Sequence, residues 1–270
     1  MSDPSLTLFD SGASWFLIFA HPGHELRVHH VLERVRPTVA VLTDGSGSTG
    51  TPRLDQTREL LANTGARLAP IFGLLTDRDA YAALMAASAK PFVDLRDRLA
   101  SLLRMESATA VLVDAAEGYN PVHDICHWIG RAAVVLARRM GAHIDLFELD
   151  LVSHPNGAGS GLRLALDDQA FARKLQAVGH YHALVQEAGA AFDHHGRDAF
   201  RVEFLRGVVD APVPSRSWVP YYEEVGETRV KAGQYASVLR YARHVRPVIE
   251  TLLGLPPPSF HAEDLGTLHQ

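Results

Sequence analysis

Two uninterrupted apolar runs, WFLIFA at Trp15–Ala20 and TVAVL at Thr38–Leu42, each end directly in a polar turn. A run without polar alternation reads as a strand buried on both faces, which is how strands of parallel sheets look. Between the two runs, residues 25–33 carry Leu26, Val28, His29 and Leu32 in a helix-compatible pattern that Pro37 stops. The alternation continues: a helix over 54–66 with Gly65 as its C-terminal stop, an apolar segment at 70–75, an amphipathic helix over 94–105 and a strand over 108–113. A helix from Asn120 to about Met140 and a strand at 143–149 complete it. Repeated strand-helix-strand spacing implies an α/β fold, Rossmann-like, with a mostly parallel sheet and helices on both faces. Residues 167–190 are expected to be helical and 235–253 to form a long helix. Residues 193–233 show no readable period, and PPP at Pro256–Pro258 opens an irregular terminus.

Active sites of such sheets lie at the carboxyl ends of the strands. That rule gathers HPGHE (21–25), TDGSGSTGTPR (43–53) and EGYNPVHDICH (117–127), since each follows an apolar strand directly. His21 and His24, three apart on a turn, can share one divalent cation, with Glu25 available to orient a ring; the plain alternative is a solvated loop. His123 and His127 fall at i, i+4 on one helix face. Asn120 suits an N-cap and Pro121 the first helical position, which explains those residues but not His123. A protonated imidazole is disfavoured at a helix N-terminus, whereas a neutral one bound to metal is not. The glycine-rich loop lacks the GxxxxGK[ST] phosphate pattern. Arg53, at the end of that loop, either binds an anionic substrate group and stabilises developing charge or pairs with a nearby acid. PYYEEVGE (220–227) sets aromatics beside carboxylates, a combination suited to sugar recognition or to an ordinary packed loop. The remaining histidine pairs, His180 with His182 and His194 with His195, and His154 have adequate solvent-exposed readings.

Composition narrows the partners. With 26 basic and 31 acidic side chains the net charge is −5, which lacks the basic surface of a general nucleic-acid binder. Cys126 is the single cysteine among 270 residues, so neither an internal disulfide nor a cysteine-rich zinc site is possible, and a reducing cytoplasm is the expected location. The opening MSDPSLTLFDSG has no basic segment leading into a long apolar core, and Trp15–Ala20 is too short to span a bilayer. Histidine, at 15 residues, is the one unusual count and prompts the search for a metal site.

In their order and spacing these motifs resemble the PIG-L/LmbE-like family of zinc-dependent N-acetylglucosamine deacetylases, over about Trp15–Ile144. That family carries an apolar strand ending in AHPDDE, a second strand with LTxGxxG, an arginine opening a helix, and HPDH. The chain offers AHPGHE at 20–25, LTDG at 42–45, Arg53, and NPVHD at 120–124. The resemblance implies a single domain over 1–270, with about 193–270 as a C-terminal subregion near the site. It implies Zn2+ or another divalent transition metal on His21, His24 and His123, with His24 in place of the family's aspartate. The family's general base falls at Gly23, and the histidine that stabilises its oxyanion falls at Asn120.

Three neutral ligands leave such a site more positive than two histidines and a carboxylate, which favours deprotonated water and eases the loss of the base. Asn120 is expected to polarise the acyl oxygen, Arg53 to position substrate or stabilise charge, and Asp44 or Asp124 to replace the base. The implied activity is metal-dependent deacetylation of an N-acetylated amino sugar or its conjugate, a small-molecule substrate. The departures at Gly23 and Asn120 keep open a non-catalytic descendant that binds a sugar or a partner, or a metalloenzyme acting on a different bond.

Overall fold

The computed structural model describes residues 8–47, 50–157, 159–208 and 212–255. PPP and part of the glycine-rich loop lie outside the described residues, as does most of the stretch searched for a secretory signal. A seven-stranded sheet runs β3-β2-β1-β4-β5-β7-β6. Its strands are β1 (Trp15–Phe19), β2 (Thr38–Thr43), β3 (Arg67–Leu75), β4 (Ala110–Asp114), β5 (Asp145–Leu149), β6 (Gly161–Ala165) and β7 (Val202–Gly207). The first five in that order are parallel; β7 runs antiparallel to both β5 and β6.

The helices are α1 (His29–Val35), α2 (Leu54–Thr64), α3 (Asp77–Met85), α4 (Lys90–Met105), α5 (Pro121–Arg139), α6 (Asp168–His180), α7 (Val185–His195), α8 (Tyr221–Lys231) and α9 (Arg246–Leu252). Alternate residues of the apolar strands enter opposite cores. Phe16, Ile18, Ala40, Leu42, Val111 and Val113 pack with α4, α5 and α9, while Leu17, Phe19, Val39, Val41 and Leu112 pack with α1 and α2. Burial on both faces is what removes polar alternation from these strands. Helix α5 comes close enough at Gly130 that an added Cβ would lie 2.4 Å from Val113 Cγ1.

The chain winds from β1 outward through β2 to β3, then returns to the centre to place β4 on the other side of β1 and continue to β5. The β1/β4 junction is therefore the topological switch point, where α/β sheets open a crevice beyond the strand ends. HPGHE leaves the end of β1 and Asp114 closes β4.

Three expectations change. The helix expected over 25–33 is a 3-10 turn, His24–Val28, followed by α1. The long helix expected over 235–253 begins only at a π-helical turn, Tyr241–Val245, leading into α9. The chain ahead of that turn is held open by side chains: Glu223 Oε1 accepts from Tyr241 N–H at 2.7 Å, and His244 Nδ1 accepts from Arg240 N–H at 2.7 Å. The stretch without a readable period holds β7 and α8, and β7 enters the sheet between β5 and the edge strand β6. Among the described residues, no helix is long and apolar enough to cross a membrane.

Candidate functional site

Gly23 makes the turn after β1 possible: its φ of 105° belongs to the left-handed region, which glycine adopts at little cost. Glu25, fully buried, locks that turn. Its Oε2 accepts from Gly23 N–H at 2.8 Å and its Oε1 from the Thr57 hydroxyl at 2.6 Å. Burial raises its pKa. Glu25 thus holds backbone, and the groups that orient the imidazoles come from elsewhere.

The turn and the start of α5 bring His21, His24 and His123 together. Their ring centroids lie 5.4 Å apart for His21–His24, 5.0 Å for His21–His123 and 4.6 Å for His24–His123, with the rings steeply inclined to one another. His21 Nδ1 is 2.7 Å from Thr43 Oγ1 and 3.0 Å from Asp77 Oδ1. The Thr43 hydroxyl donates to Ala20 O, so it accepts from His21, and the His21 proton belongs on Nδ1. His24 Nδ1 donates to Asp114 Oδ2 at 2.8 Å, and the same oxygen accepts from Ala20 N–H at 2.7 Å. Both rings therefore keep Nε2 as the lone-pair nitrogen. His21 Nε2 is buried with no hydrogen-bond partner.

Burial lowers the His21 pKa and drives that of His123 well below the ordinary value, the latter helped by repulsion from His24 and His21. Asp77 is opposed by its own burial, yet the His21 bond brings it below the usual carboxylate range. Burial thus favours neutral imidazoles at His21 and His123, and carboxylates back His21 and His24, a donor set of the kind that transition metals take. The rings are gathered but not closed. Among the described residues, no three His, Cys, Asp or Glu side chains stand ready to hold an ion without adjustment.

The three histidines line a cleft of about 1990 Å³ together with Arg53, Asp77, Asn120, Leu184 and Tyr221. Asn120 caps α5, its Oδ1 accepting from Val122 N–H at 2.8 Å. Capping uses the carbonyl oxygen and leaves the amide NH2 as the donor of a residue that lines the cleft. Arg53 stands at the N-terminus of α2, with Nη1 3.8 Å from Glu187 and its Nε buried and unpartnered.

Asp44 and Asp124, the expected replacement bases, do not line the cleft. Asp44 Oδ1 accepts from Ser46 N–H and Asp77 N–H, bracing the loop. Asp124 Oδ1 accepts from Gly118 N–H, and burial raises its pKa to about 7. His127 packs behind the site, its Nδ1 3.3 Å from Asp114 O and from Glu148 Oε2. Leu184, from the turn between α6 and α7, fills the space at Gly23: an added Cβ there would meet Leu184 Cδ1 at 2.0 Å.

Sequence reasoning missed Asp77, Asp114 and Leu184. Asp114 carried a usable signal, an acid closing the apolar strand AVLVD. Asp77 looks like an ordinary helix-start acid, and nothing local marks Leu184.

No protein-family model matches the sequence, and no curated protein is similar to it by sequence. Solved structures are similar in fold. The A40926 pseudoaglycone deacetylase is 20% identical with a TM-score of 0.52, covering 75% of this chain and 99% of its own. N,N'-diacetylchitobiose deacetylase from Pyrococcus horikoshii is 13% identical with a TM-score of 0.53, covering 75% and 86%. A deacetylase of the teicoplanin biosynthetic pathway, solved as a triple mutant, is 15% identical with a TM-score of 0.50, covering 74% and 100%. The α/β architecture implied by the motifs is thus the architecture the chain adopts: it shares the fold of these deacetylases, with HPGHE and NPVH where the PIG-L/LmbE family it resembles has HPDDE and HPDH.

Proposed function

We propose that the protein is a metal-dependent hydrolase that removes the acetyl group from an N-acetylated amino sugar or its conjugate. The observation that carries this reading is the gathering of His21, His24 and His123 at the switch point, with two Nδ1 atoms held and His21 Nε2 buried without a partner. Nε2 of His21 and of His24, with a ring nitrogen of His123, would hold Zn2+ or another divalent transition metal after ring adjustments. Such an ion supplies Lewis-acid polarisation of a carbonyl and acidifies water.

The protein's own groups do the rest. Thr43 and Asp77 keep the His21 proton on Nδ1, and Asp114 does so for His24. The Asn120 amide donates to the acyl oxygen as negative charge grows there. Arg53, which lines the cleft, offers its guanidinium to an anionic or hydroxyl group of the substrate. Leu184 excludes solvent from the side of the turn where the family places its base. The deacetylase neighbours support the reaction class. The single buried Cys126 and mildly acidic charge support a reducing, cytoplasmic setting and a small-molecule substrate rather than nucleic acid.

A second reading, a non-catalytic descendant that binds a sugar, is favoured by Leu184 occupying the place of the base. One assay separates the two. Metal-loaded protein is incubated with glycosides of N-acetylglucosamine and released acetate is measured. The hydrolase reading expects turnover that disappears in His123→Ala; no acetate from any glycoside, with metal bound, favours the binding protein.

A further inference from the structure

The motif PYYEEVGE and the loop before α5 meet in space. Tyr119 and Tyr221 stack with centroids 5.4 Å apart and 16° between their planes. Yet the two stay 50% and 52% exposed. Tyr119 directly precedes Asn120, and both tyrosines line the cleft that holds His21, His24 and His123. Large aromatic rings stabilise a fold most when buried, so a half-open pair beside a candidate site contributes less to folding than its area allows.

The pair is also braced. Tyr222 N–H donates to Gly118 O at 3.1 Å, which staples the start of α8 to the Tyr119 loop. Gly118 N–H donates to Asp124 Oδ1 at 3.0 Å. Gly118, at φ 69°, lies so close to Trp218 that an added Cβ would sit 2.7 Å from Cζ2. Trp218 meets Tyr241 edge-on at 4.8 Å, and Tyr241 is buried. Asp124, outside the cleft, thereby has a role in fixing this loop. Polar groups line the same cleft as the stack: Arg229, bonded to the Tyr235 hydroxyl, with Gln234 and Ser237.

We propose that the Tyr119–Tyr221 stack is the platform for the pyranose ring of the substrate, presenting its acylamino group to the three histidines. A pyranose has a face of C–H groups and a rim of hydroxyls. The C–H face suits the negative face of a phenol ring through dispersion and quadrupole attraction, and the rim suits Arg229, Gln234 and Ser237. A docking surface for an apolar protein segment would not need that polar rim. The inference rests on the deacetylase reading for which substituent is presented, but the platform itself is read by binding.

The test is calorimetric titration of the full chain with methyl N-acetyl-glucosaminide and with N-acetylethanolamine, which has the acetamido group without the ring. Variants are Tyr119→Ala, Tyr221→Ala, Tyr221→Phe and His123→Ala, each checked for a far-UV spectrum matching the wild type. Either alanine variant is expected to weaken glycoside binding about tenfold, while Tyr221→Phe stays within about twofold and the ringless amide is unaffected. Unchanged glycoside affinity in both alanine variants, or no glycoside binding by the wild type, overturns the platform. Tyrosine-dependent binding with no acetate released rejects the deacetylase reading and keeps the platform. Acetate release with unchanged KM in both alanine variants does the reverse.

Discussion

Gly23 shows most directly how one residue ties the turn to its surroundings. Its positive φ and the Leu184 methyl within 2.0 Å of an added Cβ mean that backbone and packing are adapted to glycine. Gly23→Asp is therefore expected to destabilise the protein by about 1–3 kcal/mol in chemical denaturation, through backbone strain and overpacking. Adding Leu184→Ala should recover part of that loss. A Gly23→Asp protein as stable as the wild type would contradict the geometry.

His127 tests burial by pH. Burial first, then repulsion from Arg131, holds its pKa down to about 4 against an ordinary 6.5. Above 6.5 the ring is neutral folded or unfolded, and its contribution is fully present. As pH falls toward 4 the unfolded chain takes up a proton that the folded chain refuses, so stability is lost, by about 3 kcal/mol at most from this group. His127→Gln should flatten that part of the decline in denaturation midpoints measured across the range; an identical slope counts against the assignment. The three gathered histidines were legible in the sequence because HPGHE and NPVH follow buried strands. Asp77 and Asp114 were not, because their partners His21 and His24 lie 56 and 90 residues away.

At the scale of elements, local pattern and tertiary demand part company toward the C-terminus. Helix α1 has no side-chain cap of its own, yet Glu203 of β7 accepts from His30 N–H at 2.9 Å and from Val31 N–H at 2.8 Å. Lys174 of α6 completes the group, its Nζ donating to Glu203 Oε1 at 2.9 Å and Arg27 O at 2.8 Å, with both charged side chains buried. Three elements depend on this pair. Removing one partner strands a buried charge at the other, so Lys174→Met is expected to cost about 3–5 kcal/mol in denaturant unfolding. A loss under about 1 kcal/mol would show that β7, α6 and α1 are joined by something else. None of this was visible in sequence, since β6 and β7 are short strands at the antiparallel end of the sheet and Glu203 reads as a surface acid. The expected helix at 235–253 failed for a related reason: its apolar spacing is real, but residues 234–237 and Leu239 are drawn out to line the cleft.

Across the whole molecule, the parallel sheet was legible because burial on both faces leaves an unmistakable pattern, and the order β3-β2-β1-β4-β5 then fixes where a site can be. His21 and His24 leave β1, Asp114 closes β4, Asp77 follows β3 and His123 opens α5, so the site exists only once the sheet is assembled. Fold and site are therefore linked: a ligand of the histidines stabilises the folded chain by mass action. Asp114→Asn keeps an oxygen for Ala20 N–H but weakens the hold on the His24 proton, and such partners change metal affinity by about 10–100-fold.

The most direct measurement of the central claim is metal content per chain after loading with Zn2+ and exhaustive dialysis, for the wild type, His24→Ala, His123→Ala and Asp114→Asn. The account predicts one ion per wild-type chain, none retained by either alanine variant, and a much weakened site in Asp114→Asn. Wild-type protein that retains less than a stoichiometric amount, or a content that His24→Ala leaves unchanged, would contradict it.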